Sequence, residues 1–419
     1  MKNIKHHSMA AIICFIGGFF VLFQFLVQGS TSLMVPELMQ SLCINLTQVG
    51  FLSSAFFYPY ILLQIPSGAL VDRFGPRNVL LGATIILALG TFAFSFCDCF
   101  ASANTTRALM GVASAPGVAC AMYLAARWYP NKFTIVAGLL EMMGMIGGAS
   151  GDYLLSYLTQ GYGWRTTMIV CSVIGIGLFI AILIFVRNGP KNQMAKAKAI
   201  PDEPKENKTW ENLKSILGNK EIWKVCLYGG LVFAIISAFA SLWAIPFLSI
   251  LYSGISSHDI SKATALIFIG AAVGAGISGY LANKSSPKTI KIIFSLIATA
   301  SFAMILYLPV SFGFMQALFF LLGVCSGTYI LPFGSVEAQT SEEAKGLAMG
   351  FTNMIIIGLG GPILQPVIGW MINAYTSHNL ECGLQATLAA YQFAFLPILI
   401  GLALAVVLSF CMRTKSKPA

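Results

Sequence analysis

The sequence is poor in charge: Asp, Glu, Lys and Arg together make up only 10% of its 419 residues. A soluble protein carries about 25% charged residues, because its surface must face water. The shortage therefore excludes an ordinary soluble globular protein. Hydrophobic residues make up 57% of the chain, which indicates that lipid is the solvent for most of it.

Groups that perform chemistry are also scarce. The four histidines fall in the N-terminal tail and in predicted outer loops, and no cysteine pair has the spacing of a zinc site. Most of the ten cysteines lie inside apolar runs, where they behave as small hydrophobic residues. The sequence contains no recognisable nucleophile–base pair or phosphate-binding loop. We therefore expect no enzyme activity, no metal and no cofactor.

Twelve apolar runs are long enough to cross a bilayer, which takes about 20 helical residues. We name them spans 1 to 12 and place them at 9–30, 48–70, 77–97, 101–127, 133–158, 165–187, 221–250, 261–282, 289–310, 313–337, 345–375 and 386–412. A charged stretch interrupted by prolines at 191–208 separates spans 6 and 7 and cannot bury a core. The prediction is an all-α membrane protein with two six-helix bundles, 1–187 and 221–419, joined by a cytoplasmic linker at 188–220.

The net charge of +10 suggests nucleic acid as a partner until the basic residues are sorted by membrane side. Of the 25 Lys and Arg residues, 22 fall on the predicted side of the two termini, and only Arg107, Arg165 and Lys262 fall on the other. This bias predicts cytoplasmic termini and argues against a nucleic-acid role. The short loops are typical of a multi-pass protein of a bacterial inner membrane, and we expect a monomer in the lipid bilayer.

An internal repeat supports the division into halves. GALVDRFGPR at 68–77 and GYLANKSSPK at 279–288 each follow the second span of their half. Both contain Gly, then Leu, then Asp or Asn followed by a basic residue, and both close with Pro and Arg or Lys. Two halves in parallel orientation, related by an axis along the membrane normal, are a known transporter architecture.

The first copy resembles the loop 2–3 signature of the major facilitator superfamily. It has Pro76 where the family usually has a basic residue, and it keeps the remaining signature positions Gly68, Asp72, Arg73, Gly75 and Arg77. The resemblance covers essentially the whole chain. It implies a secondary transporter that works by alternating access, with this loop as part of a cytoplasmic gate.

Carried over to this chain, the resemblance places Asp72 opposite the start of span 11, where a helix N-terminus favours a carboxylate. The two arginines would pair with acidic groups, for which Glu342 and Glu343 are available. Asn283 and Lys284 occupy the corresponding positions of the second copy. The alternative is a tight turn whose arginines serve only to orient the chain.

Two features inside the spans indicate proton coupling. RALMGVASA at 107–115 resembles the Arg-x-x-x-Gly motif that the family links to protons. Arg107 lies in span 4 and should face a cavity or a partner, and Asp152 in span 5 is the best partner because it lies at a similar depth, about 30 Å from the inner end of that span. Glu141 lies about 13 Å from that end, near the bilayer middle, where a carboxylate is a functional hypothesis. The alternatives are headgroup positions for Arg107 and Asp152, and a structural hydrogen bond for Glu141.

Polar and aromatic side chains inside the spans describe a mostly neutral cavity. By resemblance, spans 1, 4, 7 and 10 line it, and amides facing lipid would be costly. The candidates for contact with a substrate are Gln24, Gln28, Tyr58, Tyr60, Gln64, Tyr123, Trp243, Tyr329, Asn353 and Gln365. Each of them can instead hold one helix to another.

Span 5 carries GMIGGASGDY at 144–153, which is rich in glycine but lacks the Gly-Pro of the family's antiporter signature. This departure favours uptake or facilitated exchange. The stretches 126–153, 163–165 and 365–369 resemble bacterial relatives of the lysosomal dipeptide transporters, which implies amino acids or peptides as cargo. We expect a small polar solute (an amino acid, short peptide or organic anion) moved with a proton. The alternative is a proton-driven exporter of a drug, siderophore or metabolite.

Overall fold

The computed structural model describes residues 2–189, 209–341, 344–378 and 387–412, and within these ranges the protein is helical without a β-strand. The main helices of the first half are Lys2–Gly29, Val35–Leu42, Leu46–Leu62, Gln64–Phe74, Pro76–Phe94, Phe100–Ser114, Gly117–Trp128, Phe133–Ser150 and Ser156–Phe185. Those of the second half are Thr209–Gly218, Lys220–Ala234, Ala244–Leu251, Ser257–Lys284, Pro287–Tyr307, Phe312–Ser326, Leu331–Glu337, Lys345–Gly358, Gln365–His378, Leu388–Ala394 and Leu396–Cys411.

Ten helical segments in the described ranges are long and apolar enough to cross a membrane, or eleven if the bent pair Leu46–Leu62 and Pro66–Phe74 counts as one. The longest segment, Ile135–Phe185, has 51 residues, more than twice the length that a bilayer requires. It contains spans 5 and 6, and its backbone is non-helical at Gly163, with φ of +78°. Twelve spans and cytoplasmic termini remain predictions.

The turn at Gly163 is held by the rest of the first half on the predicted outer side. The backbone N–H of Trp164 donates to the Glu37 carboxylate at 2.8 Å. Arg165 forms an ion pair with Asp98 at 2.8 Å, and its guanidinium lies 4.3 Å from the centre of the Trp164 ring. The GWR stretch is therefore a joint between the outer ends of spans 3, 5 and 6.

Glycines set the closest helix contacts. A side chain added at Gly147 in span 5 would collide with the carbonyl of Leu22 in span 1. Side chains at Gly270 and Gly274 in span 8 would collide with the backbone of span 10. The small-residue pairs of spans 5 and 8 thus permit backbone-to-backbone packing, in the way that small residues do in membrane bundles.

Five spans change their helical winding along their length. Span 1 ends in the 3-10 helix Ser30–Met34, span 10 contains the 3-10 helix Gly327–Ile330, and spans 5, 7 and 11 contain the π-helical segments Gly151–Leu155, Ile235–Trp243 and Leu359–Leu364. The segment in span 11 includes Pro362, which lacks an N–H. Such turns release backbone carbonyls from the usual helical pattern, and neighbouring side chains must then satisfy them.

The predicted linker is only partly described. Residues 190–208 lie outside the described ranges, whereas Thr209–Gly218 forms a helix ahead of span 7. Its Ile216 is buried in a cluster with Ile222 and Val225 of span 7 and Phe351 of span 11. This part of the linker is therefore packed against the second half.

Cysteine labelling tests the predicted topology. Cys99 is exposed between spans 3 and 4, and its hydrogen bond with Ser102 lowers the pKa of its thiol, which favours the reactive thiolate. Cys411 is exposed at the opposite end of the molecule. In right-side-out vesicles, we expect a membrane-impermeant maleimide to label a chain whose only cysteine is Cys99. A chain with only Cys411 should react after permeabilisation alone.

A chain with only the buried Cys171 serves as the control, since it should stay unlabelled on both sides until the protein unfolds. Labelling of Cys411 in intact vesicles would contradict the cytoplasmic placement of the C-terminus.

Candidate functional site

The two halves meet near the outer side through contacts that we call the outer seal: span 5 with span 8, and span 2 with span 11. An added side chain at Gly148 in span 5 would meet the ring of Phe268 in span 8. Further out, the Tyr153 ring lies 4.9 Å from the imidazole of His258 at the start of span 8. Spans 5 and 8 are therefore in contact at this level.

Span 2 seals against span 11 through hydrogen bonds. The Ser54 hydroxyl donates to the carbonyl of Gly361 at 2.8 Å, and the Tyr58 hydroxyl donates to that of Pro362 at 3.1 Å. Both acceptors lie in the π-helical segment Leu359–Leu364. The carbonyls that this segment releases are thus bound by hydroxyls from the opposite half.

Two predicted cavity residues support the seal from within the second half. The Trp243 indole donates to the carbonyl of Gln365 at 3.2 Å. The Gln365 amide in turn donates to the carbonyl of Ser237 at 2.7 Å. Both side chains are fully buried, so they hold span 7 to span 11 in this arrangement.

Further towards the inner side, polar groups from both halves gather around Tyr60. Its hydroxyl lies beside the amides of Gln24 and Gln64, and Glu141 lies within electrostatic range of the phenols of both Tyr60 and Tyr329. The Asn353 amide of span 11 donates to Gln64 at 3.0 Å. We call this group the central cluster, and its members are Gln24, Tyr60, Gln64, Glu141, Tyr329 and Asn353.

The central cluster has unused hydrogen-bonding capacity. Gln24 is completely buried, yet neither its amide nitrogen nor its amide oxygen has a partner. The amide nitrogen of Gln64 is also without one. Buried polar groups are normally paired, and each exception calls for an explanation.

Span 5 connects the central cluster to the outer seal. Glu141 and Gly148 are seven residues apart, and Asp152 follows four residues later, so the three positions lie on one helix face. Gly148 faces span 8, which directs the two carboxylates towards the second half. Glu141 is half-buried, whereas Asp152 is only 2% exposed, and its Oδ2 has no partner.

The structure does not pair Arg107 with Asp152. Arg107 is 1% exposed, and its two terminal nitrogens donate to the carbonyls of Val27 and Gln28 at 3.0 Å each. These carbonyls belong to the last turn of helix Lys2–Gly29, at the negative end of the helix dipole, and the Ser30 hydroxyl also donates to the Val27 carbonyl at 2.8 Å. Arg107 therefore caps span 1.

An aromatic stack leads from Arg107 to the central cluster. The guanidinium lies 5.2 Å from the centre of the Phe56 ring, and that ring stacks on Tyr60 at 6.0 Å. Nothing in the sequence distinguishes Phe56 from its neighbour Phe57, so the prediction missed it.

The predicted gate loop closes on its own half. The Arg77 backbone N–H donates to the Asn188 side chain at 2.9 Å, and the Arg77 guanidinium donates to the carbonyl of Leu183 at 2.8 Å. Gly75 has φ of +78°, and a side chain there would press on Asn188. The loop therefore binds the end of span 6.

The other gate positions make fewer contacts. Gly68 and Asp72 are exposed, the Arg73 guanidinium lies over the Phe74 ring, and the Lys284 ammonium lies over the Tyr280 ring. Asn283 belongs to helix Ser257–Lys284. The predicted acidic partners Glu342 and Glu343 lie outside the described residues.

The remaining predicted cavity positions lie away from the central cluster. Tyr123 accepts a hydrogen bond at 2.7 Å from Arg127 near the inner end of span 4. Gln28 contributes its backbone carbonyl to Arg107. Among the described residues, no three His, Cys, Asp or Glu side chains converge as a metal site requires.

Comparison with known proteins identifies the family. The sequence model described as "Major Facilitator Superfamily" matches residues 14–363, with a second match over 234–419. The chain belongs to the Major Facilitator Superfamily. It is therefore a multi-pass membrane transporter rather than an enzyme, and the superfamily prediction made from the 68–77 loop is confirmed.

Two curated members of the superfamily are similar to this chain at low identity. The hexuronate transporter of Bacillus subtilis (strain 168) is 24% identical over 271 residues, and the match covers 63% of each protein. The probable galactarate/D-glucarate transporter GudP of Escherichia coli (strain K12) is 23% identical over 412 residues, covering 88% of this chain and 89% of the relative.

A solved superfamily structure shows the same fold. It is a bacterial homologue of the human lysosomal transporter Spinster, in an inward-facing and unoccupied conformation. The TM-score is 0.78 at 16% identity, and the match covers 96% of this chain and 97% of the other.

Proposed function

We propose that this protein is a secondary active transporter that moves a small polar solute across a bacterial inner membrane by alternating access. Its twelve spans would form two six-helix halves with both termini in the cytoplasm. The cargo would be an amino acid, a short peptide or an organic anion, and uptake with a proton or facilitated exchange would be its mode.

The observation that carries this proposal is the face of span 5. It bears one carboxylate in the central cluster, Glu141, and another beside the outer seal, Asp152. A closed seal above a group of unpaired polar side chains is the arrangement that alternating access requires on one side of its cycle. When the halves rock, the seal would open and the inner ends would approach each other.

Asp152 is the better of the two candidates for the proton. An ionised carboxylate inside the membrane is costly unless it is paired, and Arg107 is engaged with span 1. Asp152 would therefore carry a proton while the seal is closed. Opening the seal would expose it to water and allow the proton to exchange.

The named relatives make organic anions one candidate class of cargo, since one is called a hexuronate transporter and another a probable galactarate/D-glucarate transporter. The alternative function is proton-driven export of a drug, siderophore or metabolite. The span 5 glycines without the antiporter proline favour uptake.

Flux into proteoliposomes tests the proposal. Purified protein is reconstituted, and labelled amino acids, dipeptides and organic acids are offered with the outside more acidic than the inside. We expect a cargo that accumulates several-fold above its outside concentration, and that stops accumulating when a protonophore collapses the gradient. Counterflow without a gradient should persist. Accumulation only with the opposite gradient would instead indicate an exporter.

A further inference from the structure

A groove of about 440 Å³ runs between spans 5 and 8 beside the outer seal. Most of the residues that line it are Ile146, Ala149 and Tyr153 of span 5 and Ala265 and Ile269 of span 8. Ile146 is 46% exposed, and Tyr153 and Ile269 are each 44% exposed. Because the two halves are in contact at this level, these exposed side chains face the surrounding lipid rather than the interior of the protein. The groove therefore opens towards the bilayer.

The groove is apolar along its length and charged at its outer end. Its remaining lining residues are Ser150 and Lys262. The Ser150 hydroxyl donates to the carbonyl of Gly147 in its own helix at 3.1 Å, so it is satisfied within span 5. Lys262 lies one turn beyond Ala265, near the outer end of span 8. An apolar channel that ends at a basic side chain has the form of a site for an acyl chain and a negatively charged headgroup.

Lys262 has donors available for such a headgroup. Its ammonium donates to the Asp259 carboxylate at 2.9 Å, and its side chain is 44% exposed. An ammonium has three N–H donors, so this ion pair leaves the others available to water or to a ligand. A phosphate oxygen is a strong acceptor for a charged donor of this kind.

His258 places a second polar group at the same end of the groove. It lies four residues before Lys262, on the same face of helix Ser257–Lys284. Its imidazole is 4.9 Å from the ring of Tyr153, which lines the groove. The Nδ1 atom of His258 is buried and has no hydrogen-bond partner among the described residues. Buried polar atoms are normally paired, and a phosphate oxygen would accept a hydrogen bond from this nitrogen when it carries a proton.

The acidic side chain at this end of the groove is already engaged. The Oδ1 atom of Asp259 accepts from Lys262, and its Oδ2 atom accepts from the Ser256 hydroxyl at 2.7 Å. The ammonium of phosphatidylethanolamine would have to compete with both donors. A phosphatidylglycerol headgroup carries a phosphate and hydroxyls but no ammonium, and the phosphate needs only donors. The side chains around the groove therefore favour an anionic phospholipid over a zwitterionic one.

We infer that the groove between spans 5 and 8 binds phosphatidylglycerol, with one acyl chain along its apolar lining and the phosphate on Lys262 and His258. Span 5 belongs to the first half and span 8 to the second, so the lipid touches both halves and links them beside the outer seal. The lipid would come from the leaflet on the predicted outer side. Its binding requires the membrane placement of these spans but neither the proposed cargo nor the proposed proton.

Native mass spectrometry of the purified full-length protein in detergent measures this binding. Phosphatidylglycerol, phosphatidylethanolamine and phosphatidylcholine with the same acyl chains are added separately at increasing concentrations. The dissociation constant of the first bound lipid is then read from the adduct peaks. Inorganic phosphate is added in a further series, which separates a lipid site from a site for free phosphate.

We expect phosphatidylglycerol to bind about fivefold more tightly than the other two lipids, and inorganic phosphate not to displace it. Lys262→Gln and His258→Phe should each weaken its binding about fivefold, because each removes a donor to the phosphate. His258→Phe keeps an aromatic ring against Tyr153. Lys220→Gln removes the same charge from the exposed start of helix Lys220–Ala234, and it is the control that should bind as the wild type does.

A larger side chain in the groove tests the place of the acyl chain independently of charge. Ile269→Trp should fill part of the groove and weaken phosphatidylglycerol binding about fivefold, since it displaces apolar contacts of the chain. Ile277→Trp is the matched control: it lies about two turns further along span 8, is also exposed and does not line the groove.

Equal or weaker binding of phosphatidylglycerol than of the other lipids, or its displacement by inorganic phosphate, would overturn the inference. Unchanged binding in Lys262→Gln, His258→Phe or Ile269→Trp would overturn it too. A loss of the same size in Lys220→Gln or Ile277→Trp would have the same consequence, because it would show that the lipid adheres to the protein surface in general.

Discussion

Replacing Asp152 with Asn should abolish accumulation driven by a pH gradient, while exchange of cargo across the membrane continues at close to the wild-type rate. Asn has nearly the shape of a protonated Asp and can neither gain nor lose a proton. The substitution therefore fixes the protein in the state that we assign to the closed seal.

The physical reason lies in the surroundings of Asp152. The side chain is 2% exposed, sits in the π-helical segment Gly151–Leu155, and has an unpartnered Oδ2. Burying an unpaired carboxylate costs several kcal/mol, so closing the seal requires a proton. In Asp152→Asn the seal closes without one, and the gradient no longer drives the cycle.

The measurement compares uphill uptake with counterflow in proteoliposomes of the same protein density. Accumulation by Asp152→Asn should fall to the equilibrium ratio, about 1, with counterflow within about threefold of wild type. Asp259→Asn makes the same charge change at a half-exposed position paired with Lys262 at 2.9 Å, and it should behave as the wild type. Uphill uptake that persists in Asp152→Asn would reject the assignment.

Replacing Arg107 with Ala should markedly destabilise the first half. It removes two charged hydrogen bonds to the carbonyls of Val27 and Gln28, and such bonds contribute about 1.5–3 kcal/mol each. It also leaves a void beside the Phe56 ring. The loss should reach at least about 3 kcal/mol, which lowers the unfolding temperature by roughly 5 °C.

The unfolding temperature is measured in detergent: samples are heated, and the fraction still folded is read from the size-exclusion peak. Arg107→Lys should fall between wild type and Arg107→Ala, because one ammonium cannot reproduce the planar fork that reaches two carbonyls. Arg73→Ala is the control, since this exposed arginine lies over the exposed Phe74 ring, a contact that contributes about 1 kcal/mol at most. An unchanged unfolding temperature in Arg107→Ala would contradict its capping role.

The sequence was sufficient for the superfamily and for an all-helical membrane protein, because hydrophobic length and the 68–77 loop are local signals. The predicted heights of Glu141 and Asp152 rest on residue number, which converts directly into distance along a helix. The depth of a residue along its span does not specify, however, which way its side chain points. Asp152 and Arg107 were matched by height, but the arginine donates to carbonyls in the last turn of helix Lys2–Gly29, just before the 3-10 helix Ser30–Met34.

The sequence also carried no signal for which of the predicted cavity residues bond to backbone and which lack a partner. Trp243 and Gln24 are both buried side chains in the spans that the resemblance assigns to the cavity, yet the first donates to a backbone carbonyl and the second has no partner. The difference arises from the π-helical segments of spans 7 and 11, which decide where carbonyls become free. Helix winding of this kind depends on tertiary packing that a single sequence does not display.

The contact between Asn188 and Arg77 determines where the first half ends as a folding unit. Asn188 follows the last residues of span 6, and its side chain caps the start of span 3. If the two halves were expressed as separate polypeptides, a cut just before Asn188 would remove the hydrogen bond that the 68–77 loop makes with the Asn188 side chain. A break beyond Gly189 would keep it.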